Sequence, residues 1–202
     1  TLEYVLSRDK RDSKSYPLSG SYLEVLLGQT ASIPFSGDSF FFTELRPSFR
    51  KYIEFNKRFH YATGVDMKLS RSSNYSYLYY RALGYTHNMH GFEYNTVDGE
   101  HLVLFRNLVK LTLLQPTTYE IPFLPLKKFN KIHYAFYFNL FADCGYVYNS
   151  YARDENNYNN RFLYSAGAGI DFVTYYDRTL RFEYSINGFG VGGFYINILA
   201  PL

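Results

Sequence analysis

The chain has 202 residues, 21 Lys+Arg against 18 Asp+Glu, a formal net charge of +3, and 21% aromatic residues from 23 Tyr and 19 Phe with no Trp. That aromatic content excludes disorder over most of the length. The even charge balance and the lack of a Lys/Arg run exclude a nucleic-acid binder, and the lone Cys144 excludes an internal disulfide. No stretch approaches about 18 uninterrupted apolar residues, so no transmembrane helix is expected. The start at Thr1-Leu2-Glu3-Tyr4 carries no signal segment and enters mid-pattern, as expected of a piece of a longer protein.

Alternation with period two runs almost throughout and predicts about ten strands, with few helices. In chain order they are 2–9, 20–34, 39–55, 57–70, 77–85, 100–115, 132–148, 162–175, 179–187 and 193–199. Strand 39–55 carries Glu44, Arg46, Ser48 and Arg50 on one face. Strand 57–70 sets Phe59, Tyr61, Val65, Met67 and Leu69 against His60, Gly64, Asp66 and Lys68. Strand 100–115 carries Arg106 and Lys110. In 132–148, Tyr134, Phe136, Phe138 and Leu140 oppose Tyr137, Asn139 and Asp143. In 162–175, Phe162, Tyr164, Ile170 and Phe172 oppose Ser165, Gly167, Gly169 and Asp171. In 179–187, Leu180, Phe182, Tyr184 and Ile186 oppose Arg181, Glu183, Ser185 and Asn187. Turn chemistry punctuates the runs at Pro17-Leu18-Ser19-Gly20, Gly37-Asp38, Tyr176-Asp177-Arg178 and Asn187-Gly188. Longer polar connections are expected at 86–99, 115–131 and 149–161. No composition break divides the chain into two domains.

Alternation alone leaves open which face meets water. A soluble sandwich or lipocalin-like barrel would turn the apolar face inward; a membrane barrel turns it to lipid and lines its lumen with the polar face. Three features favour the membrane barrel. The polar faces mix charges of both signs, as a wet lumen would. Tyr and Phe cluster near strand ends (Tyr75, Tyr77, Tyr79, Tyr80; Tyr146, Tyr148, Tyr151; Tyr175, Tyr176), where interfacial girdles sit. Many runs reach the ~9–11 residues that cross a bilayer at a tilt.

Several stretches then resemble the carboxy-terminal part of the barrel in the BamA/TamA family of outer-membrane assembly proteins, the bacterial surface antigen family. They are Ser7-Arg8-Asp9-Lys10-Arg11-Asp12 with Tyr16-Pro17-Leu18-Ser19-Gly20; Met89-His90-Gly91-Phe92-Glu93 with Asp98-Gly99; Phe141 to Tyr148; Ser165 to Ile170; Leu180 to Tyr184; and the terminal Gly193-Phe194-Tyr195-Ile196-Asn197-Ile198. The resemblance implies an all-β, antiparallel up-and-down transmembrane barrel, of whose sixteen family strands about ten lie here. It implies that 1–202 is the carboxy-terminal portion of the barrel domain, with the earlier strands and the periplasmic POTRA domains outside this chain. It further implies the outer membrane of a diderm bacterium as location. The implied activity is folding and insertion of unfolded outer-membrane clients through a weak barrel seam, one side of which is the strand Gly193 to Ile198. Implied partners are the lipid bilayer, the client chains, and periplasmic or lipoprotein accessory subunits. The alternatives are a passive or substrate-specific pore, or a related transporter secreting one dedicated partner.

The same resemblance implies a lumen-loop motif at His90, Gly91 and Phe92. His90 stands where the family has an Arg that pairs with acidic residues on the wall; Asp143 matches one such partner, and the other falls near Leu108, which cannot accept a hydrogen bond. Other motifs carry little. Gly188-Phe189-Gly190-Val191-Gly192-Gly193 fits G-x-G-x-x-G but precedes a strand rather than a helix, so it reads as a hairpin turn and not a dinucleotide site. The histidines at 60, 87, 90, 101 and 133 show no metal spacing, and no serine sits in G-x-S-x-G. No enzyme activity, cofactor, metal or nucleic acid is expected. Cys144 alternates onto the apolar face.

Overall fold

The computed structural model describes residues 1–32, 40–74, 77–120, 131–151, 158–174 and 178–198. Period-two patterning becomes strand nearly everywhere. The elements are β1 (Leu2–Asp9), β2 (Gly20–Ser32), β3 (Phe40–Glu54), β4 (Phe59–Ser72), a 3-10 turn (Tyr77–Tyr79), β5 (Arg81–Leu83), β6 (Val97–Asp98), β7 (His101–Glu120), β8 (Lys131–Tyr148), β9 (Phe162–Thr174), β10 (Arg178–Asn187) and β11 (Gly192–Ile198). Nine of the strands form one antiparallel sheet in the order β1-β2-β3-β4-β7-β8-β9-β10-β11, each beside the next wall strand, with β5 and β6 set apart between β4 and β7. This is an up-and-down barrel wall, and it is not closed: β1 and β11 are its two edges. No helix among the described residues is long and apolar enough to cross a membrane.

One expected strand goes elsewhere. Residues 77–85 leave the wall: Arg81–Leu83 pairs with Val97–Asp98 in a separate two-stranded ladder. The reason is local. Ala82 and Leu83 join Met89, Phe92, Val97, Leu102, Leu104, Val147 and Leu163 in an apolar cluster on the inner side of the wall, and Gly84 turns the chain at φ +84°. Tyr79 and Tyr80 therefore turn inward rather than to a girdle, with Tyr79 against the buried Phe42 at 4.4 Å between centroids. β7 and β8 extend into the expected 115–131 connection, to Glu120 and from Lys131. Residues 33–39, including Gly37-Asp38, the girdle residues Tyr75, Tyr175 and Tyr176, the loop centre 152–157, the connection 121–130 and the end of the last strand at 199 lie outside the described residues.

The wall is inside-out relative to a soluble fold. Asp66, Asn139, Asp171 and Ser185 are fully buried and Arg181 is 1% exposed, while Phe194 is 81% and Ile196 66% exposed. Long register rows make this consistent. One outward row reads Leu27, Leu45, Leu69, His101, Tyr148, and one inward row reads Arg50, Gly64, Arg106, Asp143, Ser165, Asn187. Cys144 lies on the outward parity of β8. The inward rows are held by charge: Arg106 and Ser48 both bond to Asp66, and Arg46 pairs with Glu44 at 2.5 Å. Paired, hydrogen-bonded ions are what a buried polar wall requires. The 73–100 connection, the 149–151 stretch and the 188–191 turn define an upper rim; the 10–19 and 55–58 turns define a lower rim.

Candidate functional site

The loop that follows β6's partner strand is built to reach inward. Gly84 N donates to His87 O at 2.8 Å, Phe92 N to Met89 O at 3.1 Å and Asn95 N to Phe92 O at 2.9 Å, so 87–95 is a chain of tight turns. Met89 and Phe92, each 1% exposed, anchor it in the apolar cluster. Phe92 also meets Tyr158 and Phe189 edge-on, at 5.7 and 6.3 Å. Between these anchors the backbone turns at Gly91 (φ +78°), a conformation that side-chain-bearing residues rarely adopt. Gly91 also lies close to the wall. A Cβ there would sit 3.2 Å from Ser165 Cβ, and Asn187 Nδ2 donates to Gly91 O at 3.0 Å.

The turn delivers His90 to Asp143. Nδ1 lies 2.6 Å from Asp143 Oδ2, and the His90 backbone N–H donates to the same oxygen at 3.2 Å. The ring stacks on Phe141 at 4.1 Å. Its far nitrogen, Nε2, faces two groups on β10: Glu183 Oε2 at 3.8 Å and Arg181 NH1 at 3.5 Å. A neutral ring would accept from Arg181; a protonated ring would donate toward Glu183. The geometry thus gives this chain a second acidic neighbour from β10, which sequence reasoning missed by looking on β7. Leu108, the expected location, is buried with Tyr52, Ala62 and Phe141 in an apolar patch beneath the ring.

Glu93, from the same loop, faces Glu183. Burial, reinforced by that second carboxylate, pushes the Glu93 carboxyl up to about 7. Glu93 Oε2, Glu183 Oε2 and Asp143 Oδ1 are all buried without a hydrogen-bond partner among the described residues. Burial also lowers the His87 imidazole, which favours its neutral form. No group of three or more His, Cys, Asp or Glu side chains is placed to hold a metal among the described residues.

Arg181 links this loop to the opposite rim. Its guanidinium grips Asp171 through two bonds, Nε to Oδ1 at 2.6 Å and NH2 to Oδ2 at 2.9 Å. Asp171 Oδ2 also accepts from Tyr16 OH at 2.8 Å, although 155 residues separate the two. Tyr16 belongs to the β1–β2 turn, which folds into the lower mouth of the lumen. Its ring packs 4.9 Å from Tyr137 and lies 3.8 Å beneath Lys110 Nζ, which donates to Pro17 O at 3.4 Å. Burial, then the Asp171 charge, raises the Tyr16 phenol well above its usual range, so it stays a donor. Two plugs therefore enter the lumen from opposite ends and meet at one arginine. Arg181, Glu183, Asp171 and Tyr16 were readable as polar-face or turn residues; nothing in their spacing marked them as neighbours.

Among the described residues the terminal strand pairs only with β10, from Gly193↔Ser185 through Phe194↔Tyr184, Tyr195↔Glu183, Ile196↔Phe182 and Asn197↔Arg181 to Ile198↔Leu180. Its inward residues reach the same site: Asn197 Nδ2 donates to Glu183 Oε1 at 3.2 Å, and Tyr195 packs on Tyr94 of the loop at 5.3 Å. Its approach is the glycine turn, closed by Asn187 N to Val191 O at 3.0 Å and Gly190 N to Asn187 O at 3.0 Å.

A family model described as the Omp85 superfamily domain matches residues 1–198. A search of curated proteins finds no match to the chain.

Proposed function

Since the chain belongs to the Omp85 superfamily, a family of outer-membrane protein insertion and transport, we propose that it is the carboxy-terminal part of an assembly barrel that folds and inserts client barrels through a weak seam. An open sheet with bare edges cannot rest in hydrocarbon, so further strands complete the wall. The seam is the free side of β11. A client strand would add there through main-chain hydrogen bonds, as in β-augmentation. The observation that carries this reading is the contact between loop and seam strand. His90 and Glu93 face Glu183 on β10, and Tyr94 and Asn197 bring β11 into the same cluster. His90, Gly91, Phe92 and Asp143 act as the latch that fixes the wall beside the seam, and accessory subunits in the periplasm hand clients to it. It is not an enzyme and uses no cofactor.

The test is depletion of the protein, followed by measurement of other outer-membrane barrels. Those barrels should fall while their periplasmic unfolded forms rise. Unchanged levels, with ion conductance by the purified protein, would favour the pore instead. Loss of a single exported protein with all barrels intact would favour a dedicated transporter.

A further inference from the structure

The outward face of the wall carries very few charges. Reading outward parity from the register, the described strands place Arg8, Lys51 and Arg178 near the lower rim, and Arg71 alone near the upper rim. Arg71 is the outward residue after Met67 and Leu69, one position from the end of β4. An arginine on a lipid-facing row is tolerated only near the interface, where its head can leave the hydrocarbon. Among the described residues Arg71 has no ion-pair partner.

Arg71 borders a groove of about 870 Å³ that also involves Phe41, Thr43, Leu45, Leu69, Ser73 and His101. The groove has two chemistries. Phe41, Leu45 and Leu69 make an apolar floor. The rim presents donors. His101 Nδ1 accepts from Ser70 N at 3.3 Å, so the ring proton sits on Nε2, free to donate. Ser73 Oγ accepts from Phe41 N at 3.0 Å, which leaves its O–H free as well. Glu44, which also lines the groove, is paired with Arg46 at 2.5 Å, and the rim carboxylate Glu100 is occupied by Tyr80 OH at 3.0 Å and Ser150 Oγ at 2.7 Å. The imidazole stacks on Tyr148 at 5.8 Å, which fixes its orientation.

We propose that this groove is a binding site for one membrane lipid with an anionic, phosphate-bearing headgroup. The phosphate would take the Arg71 fork with the His101 and Ser73 donors, and an acyl chain would lie on Phe41, Leu45 and Leu69. Charge complementarity selects the occupant: the lining carboxylate, Glu44, is taken by Arg46, and a guanidinium without an ion-pair partner among the described residues, beside two further donors at headgroup depth, favours a net negative head over a zwitterionic one. The site rests on the outward face meeting lipid, and does not depend on the assembly function.

The full-length protein, with the strands that complete the wall, would be reconstituted in phosphatidylcholine nanodiscs holding one-fifth phosphatidylglycerol, then released for native mass spectrometry. Wild type should retain one phosphatidylglycerol. Arg71→Gln should lower the retained fraction roughly tenfold, and Lys51→Gln, on the same face at the lower rim, should leave it unchanged. Heat-modifiable mobility on a gel reports whether each variant is folded. If Arg71→Gln fails to fold, Arg71→Lys should keep most of the lipid and His101→Gln should lose part of it. Equal retention by all variants, equal loss with Lys51→Gln, or equal retention of phosphatidylcholine would overturn the proposal. Complete displacement by excess inorganic phosphate would also overturn it, because it would mean a bare anion site without a role for the apolar floor.

Discussion

The His90 loop and the Tyr16 turn plug the same lumen from opposite ends, yet they are gripped by different chemistry. The turn is held by a phenol and a guanidinium on one carboxylate, Asp171, with the Lys110 nitrogen over the ring. A guanidinium does not lose its proton in proteins, and burial keeps the Tyr16 proton in place. The loop is held by an imidazole on Asp143 and by a pair of facing carboxylates, Glu93 and Glu183. Burial and the facing Glu183 push the Glu93 carboxyl up to about 7, a range where arginine keeps its charge. The lower plug thus hangs on a guanidinium that keeps its charge, and the upper one includes a carboxyl pair whose contact follows the protonation of Glu93. Arg181 touches both, so the comparison is broken most sharply there.

Replacing Arg181 by Met should have the largest effect. Asp171 would lose both guanidinium bonds while remaining buried, and His90 Nε2 would lose its nearest donor. Stranding a buried carboxylate costs about 3–5 kcal/mol. The variant should show a large drop in the urea midpoint of unfolding, and both plugs should become protease-sensitive together. If only the lower turn loosens, the two plugs are not joined through Arg181. Tyr16→Phe comes next. It removes one bond to Asp171 and leaves the guanidinium in place, so it should cost about 1–3 kcal/mol. Its cleavage pattern should be confined to residues 10–19.

The wall was legible in the sequence and the plugs were legible only in part. Period two sorts Phe182, Tyr184 and Ile186 from Arg181, Glu183 and Ser185 without any knowledge of neighbours, because a strand's faces are a local property. The 77–85 segment defeats the same rule. Its aromatic run looks like strand, but Gly84 and the demand of Ala82 and Leu83 for an apolar pocket fold it into the lumen. For His90, the resemblance pointed to Asp143, which lies 2.6 Å from the ring, whereas the second acid was sought at Leu108. Register decides that question: Leu108 lies in the Phe141 row, one step off the row of Asp143, and Glu183 comes from a strand 75 residues later. The Tyr16–Asp171 bond has no local signal at all, since it exists only once the sheet has curled.

Gly91→Ala tests the upper plug alone. The substitution meets a positive φ of 78° and a 3.2 Å approach to Ser165 Cβ. It should cost about 1–2 kcal/mol, with the lower turn unaffected and the loop cleaved faster near neutral pH.

The smallest effect expected is also the one that separates the two plugs by kind. The Glu93 carboxyl is raised from its ordinary 4.5 to about 7, chiefly by burial and then by Glu183. A carboxyl whose folded value is raised stabilises the folded state through its protonated form. That contribution is fully present below about 4.5 and is lost as pH rises through about 7. Protease cleavage within 84–96 should therefore accelerate between pH 5 and pH 8. Glu93→Gln holds a neutral group in the same position, so it should flatten the loop's response and keep it slow at pH 8. A loop that responds equally in Glu93→Gln would overturn the assignment of this pH response to Glu93.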